Sequence, residues 1–326
     1  MSPGRISPGL CALRTRCWRT AFNSRGGVMQ VYPLILGASG LTGTEVVKIL
    51  ARAKINVRVS YREQAELNVL RNFGAEPIFA DYTDPDSLRE SLKDITAAAL
   101  ILPISPRMAE WGRQAVDCAK KAGLPKLILL SNLGASPDSP LEIPRMHGEI
   151  IAHVQNSGIP YHIVQSAPYF QNLFWSVLTI VRQRQFSLPL GNAELPYIDL
   201  HDVAILIAKL LCEERPPNQI YRITGPKAFS MFHIARKLSR ALEHDVRYFP
   251  SPAQSGEHLF RTMGLTSWLS RAINEMYGEY ASGVYKTVTG DFKAAVGRAP
   301  TGLDKFIERN LLVFRQDKVP EHLSEN

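Results

Sequence analysis

From Val31 to Ser166 the chain alternates between short, continuous apolar runs and longer stretches in which apolar residues recur every three or four positions. The runs are VYPLIL, INVRVS, EPIFAD, AAALILP, KLILLS and YHIVQS. Strands apolar on both faces and separated by amphipathic helices belong to a parallel sheet covered on both sides. The pattern predicts an α/β fold, a Rossmann-type doubly wound parallel sheet. The punctuation agrees: Gly74 and Gly123 follow two helical patterns where a left-handed residue is wanted, and Asp84-Pro85 sets an N-cap ahead of a first-turn proline.

Past Pro168 the rhythm loosens. A helix from about Gln171, a proline-marked segment QFSLPLGNAELPYID, a helix over Asp202–Leu211 and one more strand in IYRITG are predicted, followed by a mainly helical remainder with a break near Ser251. This smaller, mainly helical C-terminal portion is expected to wall a substrate pocket over the sheet's carboxyl edge. The expected boundaries are a tail over 1–28, a dinucleotide-binding core over 29–167, a substrate-binding portion of the same fold over 168–315, and a closing tail over 316–326.

Composition changes this picture little. The 326 residues are 45% hydrophobic and 21% charged, ordinary for a globular chain with a large core. The formal charge of +8 hints at nucleic acid, but Arg5, Arg14, Arg16, Arg19 and Arg25 contribute +5 within the first thirty residues, leaving +3 for the rest. No nucleic-acid partner is therefore expected, and the basic helix Met231–Leu242 reads as a solvated face. No run of 18 uncharged apolar residues occurs, so no membrane span is expected. The acid-free, Arg- and Ser-bearing opening fits either a mitochondrial presequence or a start placed ahead of Met29. Four cysteines without a C-x-x-C pair favour a reducing, cytoplasmic setting, with a mitochondrial one as the alternative.

Candidate chemistry concentrates after the first strand, where Gly37, Gly40 and Gly43 form G-x-x-G-x-x-G at a strand-to-helix turn. Missing side chains and unpaired N–H groups at a helix N-terminus admit a pyrophosphate, so Gly37, Ser39, Gly40, Leu41, Thr42 and Gly43 are the expected dinucleotide cradle. About twenty residues on, no carboxylate precedes Glu63, whereas Arg58 and Arg62 could meet a 2′-phosphate. NADP(H) is thereby favoured over NAD(H). Asp81 and Tyr82, closing the third strand, are expected on the adenine side, with helix entry as the competing role of Asp81, and Leu102, Pro103 and Ile104, after the fourth, are expected on the nicotinamide side. No metal-ligand spacing and no G-x-S-x-G elbow occur.

With these residues in place the chain resembles the NmrA-like family of atypical short-chain dehydrogenase/reductases over residues 31 to about 312. The glycine loop, FADYTDPDSL, KLILLSNLGAS, RMHGEIIAHVQNSGIPYHIVQSAPYFQNL, LPYIDLHDVAILIAKLL and IYRITGPKAFS stand in family order. MGLTSWLSRAINEMYGEY and VGRAPTGLDKFIERN are similar to blocks of the branch holding azo- and quinone-reductase-like proteins and ergot-alkaloid reductases. The resemblance implies NADPH binding and hydride transfer to a small conjugated acceptor: a quinone, an azo compound or an iminium. It also implies an alternative, since some relatives bind cofactor without turnover and act as redox-sensing regulators. A homodimer or a regulatory protein partner stays open.

One departure stands out: none of the eleven tyrosines has a lysine four residues later, so the usual Tyr-x-x-x-Lys proton relay of short-chain dehydrogenases is missing. At the corresponding helix stands His147-Gly148-Glu149, offering an imidazole as proton donor or contact, with a solvated or capping histidine as the competing reading. Residues two apart point to different helix faces, which argues against a direct His147–Glu149 dyad. Ser131, ending the fifth strand, is the other candidate catalytic group, with turn capping as its competing role. Tyr169, Phe170 and Asn172 are the expected substrate contacts, while Phe174 and Trp175 read better as core.

Overall fold

The computed structural model describes residues 31–212 and 218–315, preceded by an antiparallel pairing of Ala21–Phe22 with Val28–Met29. The presequence-like reading of 1–28 falls, but for three of those paired residues, outside the described residues, as does the closing tail 316–326.

Pro33–Leu36 (β1), Arg58–Tyr61 (β2), Glu76–Phe79 (β3), Ala97–Leu100 (β4), Leu127–Asn132 (β5) and Tyr161–Ser166 (β6) realise the six apolar runs. Gln185–Leu188 (β7) lies in a second sheet, and Gln219–Ile223 (β8) adds a seventh strand to the first. The main sheet is parallel throughout, in the order β8-β6-β5-β4-β1-β2-β3. Chain direction across the sheet reverses between β1 and β4, and in doubly wound folds ligands bind at the carboxyl ends beside that switch.

Alternate residues of each strand feed opposite layers. Leu34, Leu36, Ala98, Leu100, Leu127 and Leu129 pack with Leu88 of Pro85–Ser91 (α3), Val116 of Met108–Lys121 (α4) and Ile150 of Glu142–Asn156 (α5). Ile35, Ala97, Ala99, Ile128 and Val164 pack with Val46 and Ile49 of Leu41–Arg52 (α1), Leu70 of Gln64–Arg71 (α2), and Val203 and Ile207 of Leu200–Cys212 (α7). Both faces are buried, as continuous apolar strands require. Gly74 and Gly123 take φ of +69° and +66° after α2 and α4, and Asp84 caps α3 through the Asp86 and Ser87 N–H groups.

Beyond β6 the expected helix near Gln171 is instead a 3-10 segment, Phe170–Ser176, leading into Val177–Gln183 (α6). Two short strands, β7 and Arg247–Pro250 (β9), pair in parallel in a separate small sheet that the sequence pattern did not indicate. Met231–Leu242 (α8) matches its expected limits. Gly256–Thr262 (α9), Ser267–Ala281 (α10), Asp291–Val296 (α11), Leu303–Arg309 (α12) and Leu311–Arg315 (α13) make up the helical remainder. No helix among the described residues is long and apolar enough to cross a membrane.

Candidate functional site

The glycine loop leaves β1 at the switch point, and its three glycines are glycine for different reasons. Gly37 takes φ +86°, and a Cβ there would overlap the carbonyl oxygen of Ile101, just past β4. Gly43 packs on the loop itself: a Cβ would overlap the Gly37 carbonyl oxygen and lie 2.8 Å from the Ala38 Cα. Gly40 has neither constraint. Its φ is −69°, and a Cβ would meet nothing nearer than the Gly37 oxygen at 3.7 Å. Among the described residues, packing therefore makes no demand for glycine at this exposed position, whereas a ligand lying against the backbone would.

Gly40 is also the N-cap of α1, with no side chain among the described residues capping the helix and no acid in its first turn. Helix N-termini carry unpaired N–H groups and partial positive charge, so this one is open to an anion. Thr44 Oγ1 anchors the loop by donating to the Ala38 and Ser39 carbonyls at 3.0 and 3.3 Å, and the Gly37 N–H donates to Ser60 Oγ at 3.0 Å. These residues fit the pyrophosphate of a dinucleotide.

Arg62 lies exposed just past β2. Arg58 does not join it. Arg58 opens β2 and so stands at the amino edge of the sheet, where it bonds Glu76 and donates to the Ser91 and Lys93 carbonyls at 3.2 and 2.7 Å, with its guanidinium over the Tyr32 ring. Strand direction thus places Arg58 at the edge opposite the glycine loop. Asp81 accepts from the Thr83 N–H and hydroxyl, both at 2.7 Å; the backbone bond chiefly, with Arg62 and Arg107 nearby, keeps its carboxyl below the usual range. Tyr82 is buried and stacked on Trp111 at 6.0 Å, so it offers no exposed face, and burial pushes its hydroxyl pKa far up. Leu102 turns toward Gly112 of α4, Pro103 is half-buried, and Ile104 is exposed.

Ser131 and His147 share the α4/α5 side of the sheet. Ser131 has the parity of Leu127 and Leu129, and His147 falls on the buried face of α5 with Ile143, Ile150 and Ile151. Neither Ser131 Oγ nor His147 Nδ1 has a hydrogen-bond partner among the described residues. Burial lowers the His147 pKa to about 4, which favours the neutral ring near pH 7. Glu149 points elsewhere and pairs with Arg113 at 2.9 Å.

The model of the NmrA-like family matches residues 32–307. The chain belongs to the NmrA-like family. It is 31% identical to an NAD(P)H azoreductase of Xenophilus azovorans over 78% of this chain and 91% of that protein. In fold it is similar to a Citrobacter sp. triphenylmethane reductase solved with NADP(H), at TM-score 0.77 and 17% identity, covering 85% of this chain and 99% of that one. An NADPH-dependent quinone oxidoreductase of Escherichia coli solved with NADPH also gives 0.77, at 21% identity over 86% and 100%.

Two of the three expected substrate contacts in this NmrA-like chain are engaged within the protein. The Tyr169 hydroxyl meets Ser166 Oγ at 3.3 Å and the Thr42 hydroxyl, tying β6 to the glycine loop. Phe170 is fully buried, stacked on Phe306 and Tyr197 at 5.1 and 5.9 Å, because the 3-10 turn points it into the core. Phe174 is core as well. Asn172 does reach a polar group, the Tyr277 hydroxyl.

That tyrosine belongs to a cluster the sequence reading passed over. Tyr277 and Tyr280 come from one face of α10, and Tyr285 follows it; Tyr280 meets Tyr277 and Tyr285 edge-on or tilted at 5.9 and 5.3 Å. The Tyr285 ring lies against Gly134, two residues past β5, and donates to Glu279 at 3.0 Å. The C-terminal helices thus bring tyrosines to the sheet edge where Ser131 stands. The signal was the repeated tyrosine in NEMYGEYASGVY, which resembles an ordinary amphipathic face.

Proposed function

We propose that the protein is an NADPH-dependent reductase acting on a small, planar, electron-poor acceptor of the quinone, azo or iminium type. The observation that carries this reading is Gly40, an exposed loop glycine that packing among the described residues does not require, at the start of α1, which no described side chain caps. The names of the relatives support the same reading. When bound, a nicotinamide dinucleotide supplies hydride to such an acceptor.

In this reading the Leu41, Thr42 and Gly43 N–H groups hold the pyrophosphate and Arg62 meets the 2′-phosphate, which favours NADPH. Asp81 stands on the adenine side, and Leu102 and Pro103 on the nicotinamide side. Ser131 and neutral His147 present polar atoms to the acceptor from the α5 side, while Asn172, with the tyrosine cluster, orients it from above. An imidazole with a pKa of about 4 is protonated in roughly one molecule in a thousand at pH 7, so water closes the proton balance and the residues act by positioning.

The test is NADPH consumption by the chain begun at Met29, against quinones, azo dyes and cyclic iminium compounds, beside Gly40→Ala. Acceptor-dependent turnover, with NADPH affinity at least about tenfold weaker in Gly40→Ala and an unchanged melting temperature, is expected. Dinucleotide binding without turnover by any acceptor favours a redox-sensing regulator instead. No binding at all removes both.

A further inference from the structure

The glycine loop and the end of β2 are bridged by a carboxylate. Glu66, in the first turn of α2, accepts from Ser39 Oγ at 2.7 Å on one oxygen. Its other oxygen accepts from the Arg62 N–H at 2.6 Å and the Glu63 N–H at 3.3 Å. Helix capping accounts for the last of these, since Glu63 and Glu66 form a capping box. It does not account for Ser39, which stands 27 residues away on the opposite side of the gap, nor for the Arg62 N–H, which precedes the helix.

A hydroxyl and a backbone N–H converging on one anion, with the Arg62 guanidinium on the same residue as the N–H, form a donor set that also suits a phosphate. The gap between glycine loop and second strand is where dinucleotide folds receive the adenosine ribose and its 2′ substituent. An unphosphorylated ribose leaves Glu66 bonded to these donors and presents hydroxyls that a carboxylate accepts. A 2′-phosphate needs the same donors and meets a like charge.

We propose that Glu66 is a specificity-determining residue whose carboxylate takes, from within the chain, the donors that a 2′-phosphate requires, and so holds down the preference for NADPH over NADH. The inference rests on the dinucleotide reading of the loop. The two charged groups oppose each other: Arg62 draws the 2′-phosphate in and Glu66 competes with it, which leaves NADH a usable cofactor.

The experiment is calorimetric titration of the full chain and of Glu66→Gln with 2′,5′-ADP, 5′-AMP, NADPH and NADH. Glutamine keeps the length and the capping role at this position. Expected are affinities for 2′,5′-ADP and NADPH about tenfold tighter in Glu66→Gln, with 5′-AMP and NADH within about twofold of the parent. Arg62→Ala is expected to move the 2′-phosphorylated pair the other way. Equal shifts for all four ligands, or none, overturn the role of Glu66 while leaving the dinucleotide site standing. Failure of the parent to bind any of them overturns the site and the inference together. Matching thermal melts of parent and variant exclude a folding defect, and Glu66→Ser repeats the comparison should Glu66→Gln melt early.

Discussion

At 8% exposure, and with Nδ1 unpartnered among the described residues, the His147 imidazole has given up water without a charged neighbour to replace it. Its pKa falls to about 4 in the folded protein against about 6.5 unfolded, so between those values the unfolded chain binds the extra proton. Stability therefore falls as the pH drops below about 6.5, by about 2 kcal/mol at pH 5. Urea unfolding of the parent and His147→Gln at pH 7.5 and 5 checks this: the parent should lose that much more than the variant, and equal losses would show a hydrated imidazole. The burial of His147 was open to reading, because it stands four residues from Ile143 and Ile151 on one helical stripe. What no spacing reveals is whether a polar partner lies opposite. The place of Arg58 was hidden for a related reason: a distance of about twenty residues is measured along the chain and does not say which edge of the strand a side chain occupies.

Elements were legible in proportion to how completely burial dictates their pattern. The strands of the main sheet are covered on both faces, and their apolar runs stand out from everything around them. β7 and β9 form a sheet of two short strands, QFSL and RYFP, whose mixed polarity and proline resemble loop. The attachment of the C-terminal helices was equally hidden, since it depends on polar residues far apart in sequence. Asp199 and Asp202, both fully buried at the start of α7, pair with Arg309 and Arg298 respectively, and Asp202 also accepts from the Thr301 N–H. Gln171 completes the joint by donating to Asp199 at 2.9 Å and accepting from the Leu200 N–H at 3.1 Å. Removing Arg298 leaves a buried carboxylate with, among the described residues, the Thr301 N–H as the donor to its side chain. Arg298→Ala should accordingly cost about 3 kcal/mol in chemical denaturation. A cost under about 0.5 kcal/mol, the scale of an exposed pair, would show that solvent already reaches Asp202.

At the scale of the whole molecule, the core on one face of the sheet runs on into the C-terminal portion. Leu34, Leu100 and Leu129 of the sheet belong to the same packed cluster as Phe170, Phe260, Tyr277, Phe306 and Phe314 of the C-terminal portion. On the other face α1, which starts at the glycine loop, is packed on α7, with Glu45 and His201 bonded at 2.6 Å across the contact. Burial works against an ionised Glu45, yet the His201 bond and charge, aided by Lys48 and Arg52, keep its pKa below the ordinary value. The helix that would receive the pyrophosphate thus leans on the helix that carries Asp202 and follows Asp199, and through them on α12 and the segment ahead of it. A ligand bound at the loop stabilises whatever unfolds cooperatively with that loop. With a shared core and this chain of contacts, the cooperative unit should be the entire region from β1 to α13. Saturation with NADPH at a hundred times its Kd is then expected to raise the unfolding free energy by about 2.7 kcal/mol in a single transition, with far-ultraviolet signal and the fluorescence of Trp268 on α10 moving together. Two transitions, with only the first responding to NADPH, would divide the molecule into independent halves and leave the tyrosine cluster uncoupled from the cofactor that its position at the sheet edge is argued to serve.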